Sequence, residues 1–423
     1  MIVTSHVRQP TVTAVIACLA LLLGFGLSFS STHPSNAAEL RSTKKSFAYF
    51  ATFADRVTVP TGHRRAQGVG DLTITTGPVS DTYQGTRSGS ATMVSRVVTP
   101  GRSVETRNTQ VTIKVRGGTL TAAAMNEFPR GGPATILNIM PVVGGTGIYA
   151  TARGTLSVQP IGNSGGARLA FDVFVSPMTE RENLQVHDFD VSTAATDRRD
   201  GRGSISRSTA SSSTAQWTSI STRIGGKDAT PEFAEDVHLN LPSGSVLLRG
   251  ITTTNNGRLT TSRFAVLGGT GDYAGARGEA IARPRGSDRV TVTLRLDPRS
   301  GKVQRQRWFD IDQRSFTVAL PGGPMVTAAT EVARRANGTG PLGTSIAARY
   351  TYDTGDDSSI RVITREINLA GGTIVVSGIA TTNGPTTDLA IIGGTGNFGG
   401  AGGVLSSTEI DATSTRSAAR FWR

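Results

Sequence analysis

The chain writes nearly the same nineteen residues three times: MPVVGGTGIYATARGTLSV (140–158), FAVLGGTGDYAGARGEAIA (264–282) and LAIIGGTGNFGGAGGVLSS (389–407). The Gly-Gly-Thr-Gly strings start at Gly144, Gly268 and Gly393, at intervals of 124 and 125 residues. Such a period is the length of a small domain, well beyond the roughly 20–50 residues of a solenoid unit. Upstream of each string lies a matching hairpin: VTIKVRGGTLTAAA (111–124), VHLNLPSGSVLLRG (237–250) and REINLAGGTIVVSG (365–378). Apolar and polar residues alternate around a glycine-centred turn, the pattern of a half-buried antiparallel pair. Further upstream, alternating segments at Phe47–Ala54, Leu169–Val175 and Val290–Leu296 are expected to open each unit.

These observations predict an all-β chain of three tandem antiparallel domains, each a small sandwich or closed barrel; closure has the advantage of removing exposed strand edges. Clusters of Gly, Ser, Asn and Pro at Pro160–Gly166 and Pro284–Asp288 suggest the borders. The units are then 39–162, 163–286 and 287–412, with 413–423 a C-terminal tail. The serine-rich Ser204–Thr214 has too few apolar residues to fill a core and reads as a loop or an edge strand.

Taken alone, Gly394–Gly399 satisfies the dinucleotide pattern, and Gly145–Ala150 and Gly269–Ala274 its alanine-ended form. That chemistry requires a following helix whose N-terminus holds pyrophosphate. Here an Arg-Gly and a new strand follow within about seven residues, which leaves no room for one. The glycines are instead expected to permit positive φ and close packing at a barrel corner. Tyr149, Tyr273 and Phe398, two residues beyond the last glycine, are expected to plug the barrel end.

Residues 1–38 read as a secretory leader, with an apolar stretch from Val12 to Phe29 and small residues at Asn36–Ala38; an uncleaved membrane anchor is the rival reading. The chain is therefore expected outside the cell. Removing the leader takes away Cys18, the only cysteine, and leaves a net charge of +12 on 385 residues. Disulfides, thiol catalysis and cysteine-zinc sites are thereby excluded from the remainder. No basic run is interleaved with aromatics, so no nucleic-acid partner is expected. The cationic excess leaves anionic cell-envelope polymers as a partner class, and with them a second functional reading: a non-enzymatic module held on an envelope.

Met140–Gly154, with its Gly-Gly-Thr-Gly, aromatic and Ala-Arg-Gly, resembles the C-terminal signature of dirigent proteins, which share an eight-stranded antiparallel barrel with allene oxide cyclases. The resemblance implies a barrel around an apolar pocket that binds a small hydrophobic molecule and steers its cyclisation or coupling, as an isomerase or a stereochemical guide, with no cofactor and no metal. In that family an Asp after the first strand and the Arg of Ala-Arg-Gly face the pocket. Carried over residue by residue, this implies Asp55 with Arg153 in the first unit and Arg277, joined by Asp272, in the second. Asp297 follows the Val290–Leu296 segment, while Gly402 stands where the third unit should have the Arg. An ion pair closing the barrel mouth is the alternative role for these groups. Asp71, Asp190 and Asp310 read as turn or strand-end acids. Because dirigent proteins assemble as trimers, three linked units imply an intramolecular pseudo-trimer.

Overall fold

The computed structural model describes residues 42–60, 68–130, 136–162, 165–176, 183–196, 205–212, 215–255, 258–285, 289–297, 304–319, 325–335, 340–353, 359–381, 386–411 and 414–422. The proposed leader lies outside them. The structure is all-β, with short 3-10 turns at Gly271–Tyr273 and Gly396–Phe398 and no α-helix among the described residues. No phosphate-binding helix follows any of the three glycine strings.

The first unit comprises β1 (Thr43–Thr52), β2 (Asp55–Val59), β3 (Leu72–Ser80), β4 (Arg87–Thr99), β5 (Val104–Val115), β6 (Gly118–Pro129), β7 (Asn138–Gly147), β8 (Arg153–Ile161) and β9 (Gly166–Val175). The second comprises β10 (Asn183–Thr196), β11 (Ile205–Ser211), β12 (Gln216–Lys227), β13 (Thr230–Leu241), β14 (Gly244–Asn255), β15 (Arg258–Leu259), β16 (Ser262–Gly269), β17 (Arg277–Arg285) and β18 (Arg289–Asp297). The third comprises β19 (Gln304–Ala319), β20 (Met325–Arg335), β21 (Pro341–Asp353), β22 (Ser359–Leu369), β23 (Gly372–Thr381), β24 (Thr386–Gly394), β25 (Gly402–Asp411) and β26 (Ser414–Trp422). All pairings are antiparallel. The second and third units close into eight-stranded barrels, through β13–β14 and β19–β26 respectively. The first is a sheet rolled shut across only two residue pairs, Phe50–Ser80 and Ala51–Val79, with β2 continuing β1 along β3.

The expected borders are corrected by one strand. The segments at 169–175 and 290–296 do not open units; they lie in β9 and β18, which close the first and second barrels against β1 and β10. Residues 414–422 are not a tail but β26, the closing strand of the third barrel. Pro160–Gly166 and Pro284–Asp288 are the regions where β8 gives way to β9 and β17 to β18 within one barrel. Gly, Ser and Pro mark a reversal of the chain whether it is a tight hairpin or a link between domains, so composition could not separate the two. β11, expected as a loop or edge, pairs on both sides with β10 and β12.

Each barrel has its own lumenal core, including Ile113, Leu120, Leu156 and Phe171 in the first, Trp217, Leu239 and Phe264 in the second, and Ile367, Ile374 and Phe421 in the third. Tyr149 and Phe398 belong to these clusters and Tyr273 packs against one. A further apolar cluster draws on all three barrels, among them Val143, Leu267 and Ile392. Each of these three is skipped in the register where β7, β16 or β24 meets its neighbour, a β-bulge in the same place three times. The residue before each points into its own lumen, so both faces of the strand are buried and the sequence runs apolar without alternating.

The glycines make the approach possible. A methyl group at Gly144 would lie 3.1 Å from the Ala265 Cβ, one at Gly268 3.2 Å from the Ala390 Cβ, and one at Gly393 3.0 Å from the Pro141 Cβ. The contacts run from first barrel to second, second to third and third to first. The last glycine of each string (Gly147, Gly271, Gly396) has φ near +60°, at +62°, +56° and +56°, where a side chain would be strained.

Candidate ligand-binding cavity

Along β5 the residues Val111, Ile113 and Val115 face the lumen of the first barrel, and strand alternation places Glu105, Arg107 and Thr109 on the same face. Two charged residues therefore stand in line with a core. Glu105 is 1% exposed and Arg107 6%. Arg107 Nε donates to Glu105 Oε1 at 2.6 Å, and Nη1 donates to the Thr73 hydroxyl at 2.8 Å and to the Ser95 hydroxyl at 3.3 Å. Nη2 closes the ion pair on Glu105, and the guanidinium carbon lies 5.6 Å from the Phe128 ring centre. Burying two charges is costly unless their hydrogen-bonding capacity is met. Arg107 meets most of its own; Glu105 Oε2 is buried without a partner.

Asn126, directly across the sheet from Arg107, is also buried, and its Nδ2 has no partner either. These groups line a cavity of about 620 Å³ with Thr73, Ser95, Met93, Met140, Phe53, Phe128 and Val158. Arg56, Asn138, Pro129, Pro160 and the glycines 162, 165 and 166 are also part of its wall. The volume suits a small organic molecule, and the lining combines apolar and aromatic side chains with a few convergent polar groups. Among the lining groups, Glu105 Oε2 is an acceptor and Asn126 Nδ2 a donor without a partner.

The other lumens differ. In the second barrel Trp217 and Phe264 meet edge to face at 6.0 Å. Glu235 is buried there; burial pushes its carboxyl upward, with the Ser219, Thr252 and Ser221 hydroxyls pulling the other way. In the third, Arg365 bridges Asp310 and Glu331, both at 2.5 Å. Trp308 Nε1 and the Ser417 hydroxyl donate to Asp310, while the Ser345 hydroxyl and Arg349 donate to Glu331. Asp310 is thus no turn acid but the centre of a lumenal ion cluster; burial raises its carboxyl, opposed by Arg365. Asp71 does act in a turn, its Oδ2 accepting from the Gly68 N–H at 2.8 Å. The side chain of Asp190 lies outside the described residues.

Asp55 is exposed at the start of β2, and Asp272 is exposed in the 3-10 turn. Neither lines the cavity, nor does either arginine. Arg153 is fully buried and leaves its own barrel: Nη2 donates to the carbonyls of Val266 and Leu267, both at 3.2 Å, and Nη1 to Ala152 at 2.7 Å. Arg277 donates to the Gly400 carbonyl of the third barrel at 2.7 Å. Burial pushes both guanidinium groups below their ordinary range; Arg277 adds to that for Arg153, and Asp297 opposes it for both. Asp297 pairs with Arg277 across β17 and β18, and its carboxyl is raised by burial against the pull of both arginines. The geometry brings Arg153, Arg277 and Asp297 together where barrels meet, and leaves Asp55 and Asp272 apart. Glu105, Arg107 and Asn126 were missed. The available signal was VETRNTQVTIKV (104–115), whose apolar alternation continues backwards into Glu, Arg and Thr on the inward face.

No family model and no curated protein matches this chain. Among solved structures, it is similar to "Pyocyanin demethylase", at 18% identity over 30% of this chain and all of that one, with a TM-score of 0.26. Two pterocarpan synthase dirigent proteins match at 18% and 17% identity, over 34% and 32% of this chain and 91% and 97% of theirs, with TM-scores of 0.27 and 0.26. At these scores the likenesses carry no argument about function.

Proposed function

We propose that the first barrel binds a small, largely apolar molecule carrying a hydroxyl group, and steers its cyclisation or coupling by holding it in one conformation. The observation that carries this reading is the cavity of about 620 Å³ in which Glu105 Oε2 and Asn126 Nδ2 are buried without partners. A ligand hydroxyl donates to Glu105 Oε2, and a second ligand oxygen accepts from Asn126 Nδ2, which restores both missing hydrogen bonds. Arg107, fixed by Thr73 and Ser95, holds the carboxylate in place, so a phenolic or enolic proton can pass to Oε2 as negative charge spreads over the ligand. Met93, Met140 and Phe128 hold the apolar body and exclude water. The sequence resemblance to dirigent proteins supports the same class of chemistry. Export is part of this proposal, resting on the leader-like residues 1–38.

The test is native mass spectrometry of the purified chain after exposure to an extract of small phenols and apolar alcohols. A single bound molecule per chain is expected, held less tightly in Met93→Trp, whose larger side chain narrows the cavity. Equal retention by Met93→Trp would refute the assignment to the first barrel. Recovery of a chain starting near residue 39 from the medium tests export.

A further inference from the structure

A second cavity, of about 90 Å³, lies outside the three lumens, where the outer faces of β4, β13, β14 and β21 meet. Arg96 comes from the first barrel, Asp236, His238 and Arg249 from the second, and Tyr350 from the third. Arg249 spends its Nε on Asp236, and the Arg96 guanidinium carbon lies 5.1 Å from the Tyr350 ring centre. Each arginine still has a buried Nη1 without a partner, and so does the buried His238 at Nδ1. The histidine is uncharged, since burial pushes its pKa down to about 4. Two guanidinium groups against one carboxylate leave an excess of one positive charge around the space. Two unpartnered N–H groups from different barrels, each costly to bury unfilled, belong to residues that line this void, as do Asn108 Oδ1 and the Tyr350 hydroxyl, also without partners.

We propose that this junction binds one small oxyanion, a carboxylate or a sulfate or phosphate, between Arg96 and Arg249. Guanidinium forks match such oxygens geometrically, and the ligand both fills the open donors and neutralises the excess charge. The volume excludes a nucleotide, and Asp236, with its side chain 38% exposed, marks the side open to solvent. The register explains why this site needs a single chain. Arg96, Thr222 and Tyr350 occupy corresponding places in the three barrels, as do Ala123, Arg249 and Ser377. Three identical subunits would bring three arginines, or none, to each place; three diverged copies bring one. The bound anion then ties the first barrel to the second.

The experiment titrates the full chain with sulfate, phosphate or acetate at ionic strength held constant with chloride, by calorimetry and thermal unfolding. One saturable site per chain and a midpoint rise of about a few degrees are expected. Sulfate or phosphate binding identifies a tetrahedral anion; binding of acetate alone identifies a carboxylate. Arg96→Gln should weaken binding at least about tenfold. A crystal soaked in selenate supplies a readout independent of any variant's folding: an anomalous peak within hydrogen-bond distance of both Nη1 atoms is expected. No saturable binding of any of the three anions, or an anomalous peak elsewhere with this cavity empty, overturns the proposal.

Discussion

The first and third barrels place the same chemistry, an arginine against carboxylate inside a lumen, to opposite ends. In the third, Asp310 and Glu331 face Arg365; Ser417 and Arg349 take the carboxylate oxygens that Arg365 leaves, while Trp308 and Ser345 share those it holds. In the first, one carboxylate faces one arginine, and Glu105 Oε2, beside the cavity, has no donor. A closed polar set inside a barrel is a structural element; one left open is a place for a ligand. The difference lies in how many donors surround each carboxylate, not in whether a charge is present.

The comparison is broken most sharply by removing the shared arginine of the closed set. Arg365→Met leaves two carboxylates buried side by side and should cost about 3–5 kcal/mol, read from the urea unfolding midpoint. A loss below about 1 kcal/mol would mean the third lumen admits water and is not closed.

The next effect links the two barrels. Glu366, on the outer face of the third barrel, accepts a hydrogen bond from the Met125 N–H at 2.8 Å, next to Asn126 of the cavity. Burial raises its carboxyl from 4.5 to about 7, partly opposed by that N–H. The folded chain thus keeps a proton that the unfolded chain releases, so stability falls as pH rises from about 4.5 to about 7 and levels off above. Glu366→Gln should remove that slope, on the order of 2–3 kcal/mol across the window. Thermal unfolding from pH 4.5 to 8 checks it; an unchanged slope would assign the dependence to other groups.

Within the first barrel, Asn126→Leu, which removes an amide donor without a partner, should weaken ligand binding by about tenfold, or 1.4 kcal/mol, while changing folding stability by about 1 kcal/mol or less. Parallel calorimetry and denaturant titration separate the two. A variant that loses several kcal/mol of stability would show that the first set is as structural as the third. The smallest effect is expected at the junction, where Gly144→Ala places a methyl 3.1 Å from the Ala265 Cβ. It should cost about 1 kcal/mol and leave the ligand affinity of the first barrel unchanged.

Much of this architecture was legible beforehand. Alternation in 111–124, 237–250 and 365–378 identified hairpins, and the regular spacing of the glycine strings identified three units. What alternation does not carry is a partner. The residues of β9 look like an opening strand because β9 lies hydrogen-bonded beside β1 over ten residue pairs, and both bury the same kind of face. The arginines of Ala-Arg-Gly were read as facing a pocket or closing a barrel mouth, not as reaching the backbone of the next barrel.

The order of residues alone determined the strands, the turns and the threefold period, because those depend on neighbours a few positions apart. Only the folded chain decided which strand closes which ring, which glycine lets two barrels touch, and which carboxylate is left with an open oxygen. Those outcomes depend on groups such as Arg153 and Val266, or Glu366 and Met125, that stand more than a hundred residues apart and meet only in the folded chain.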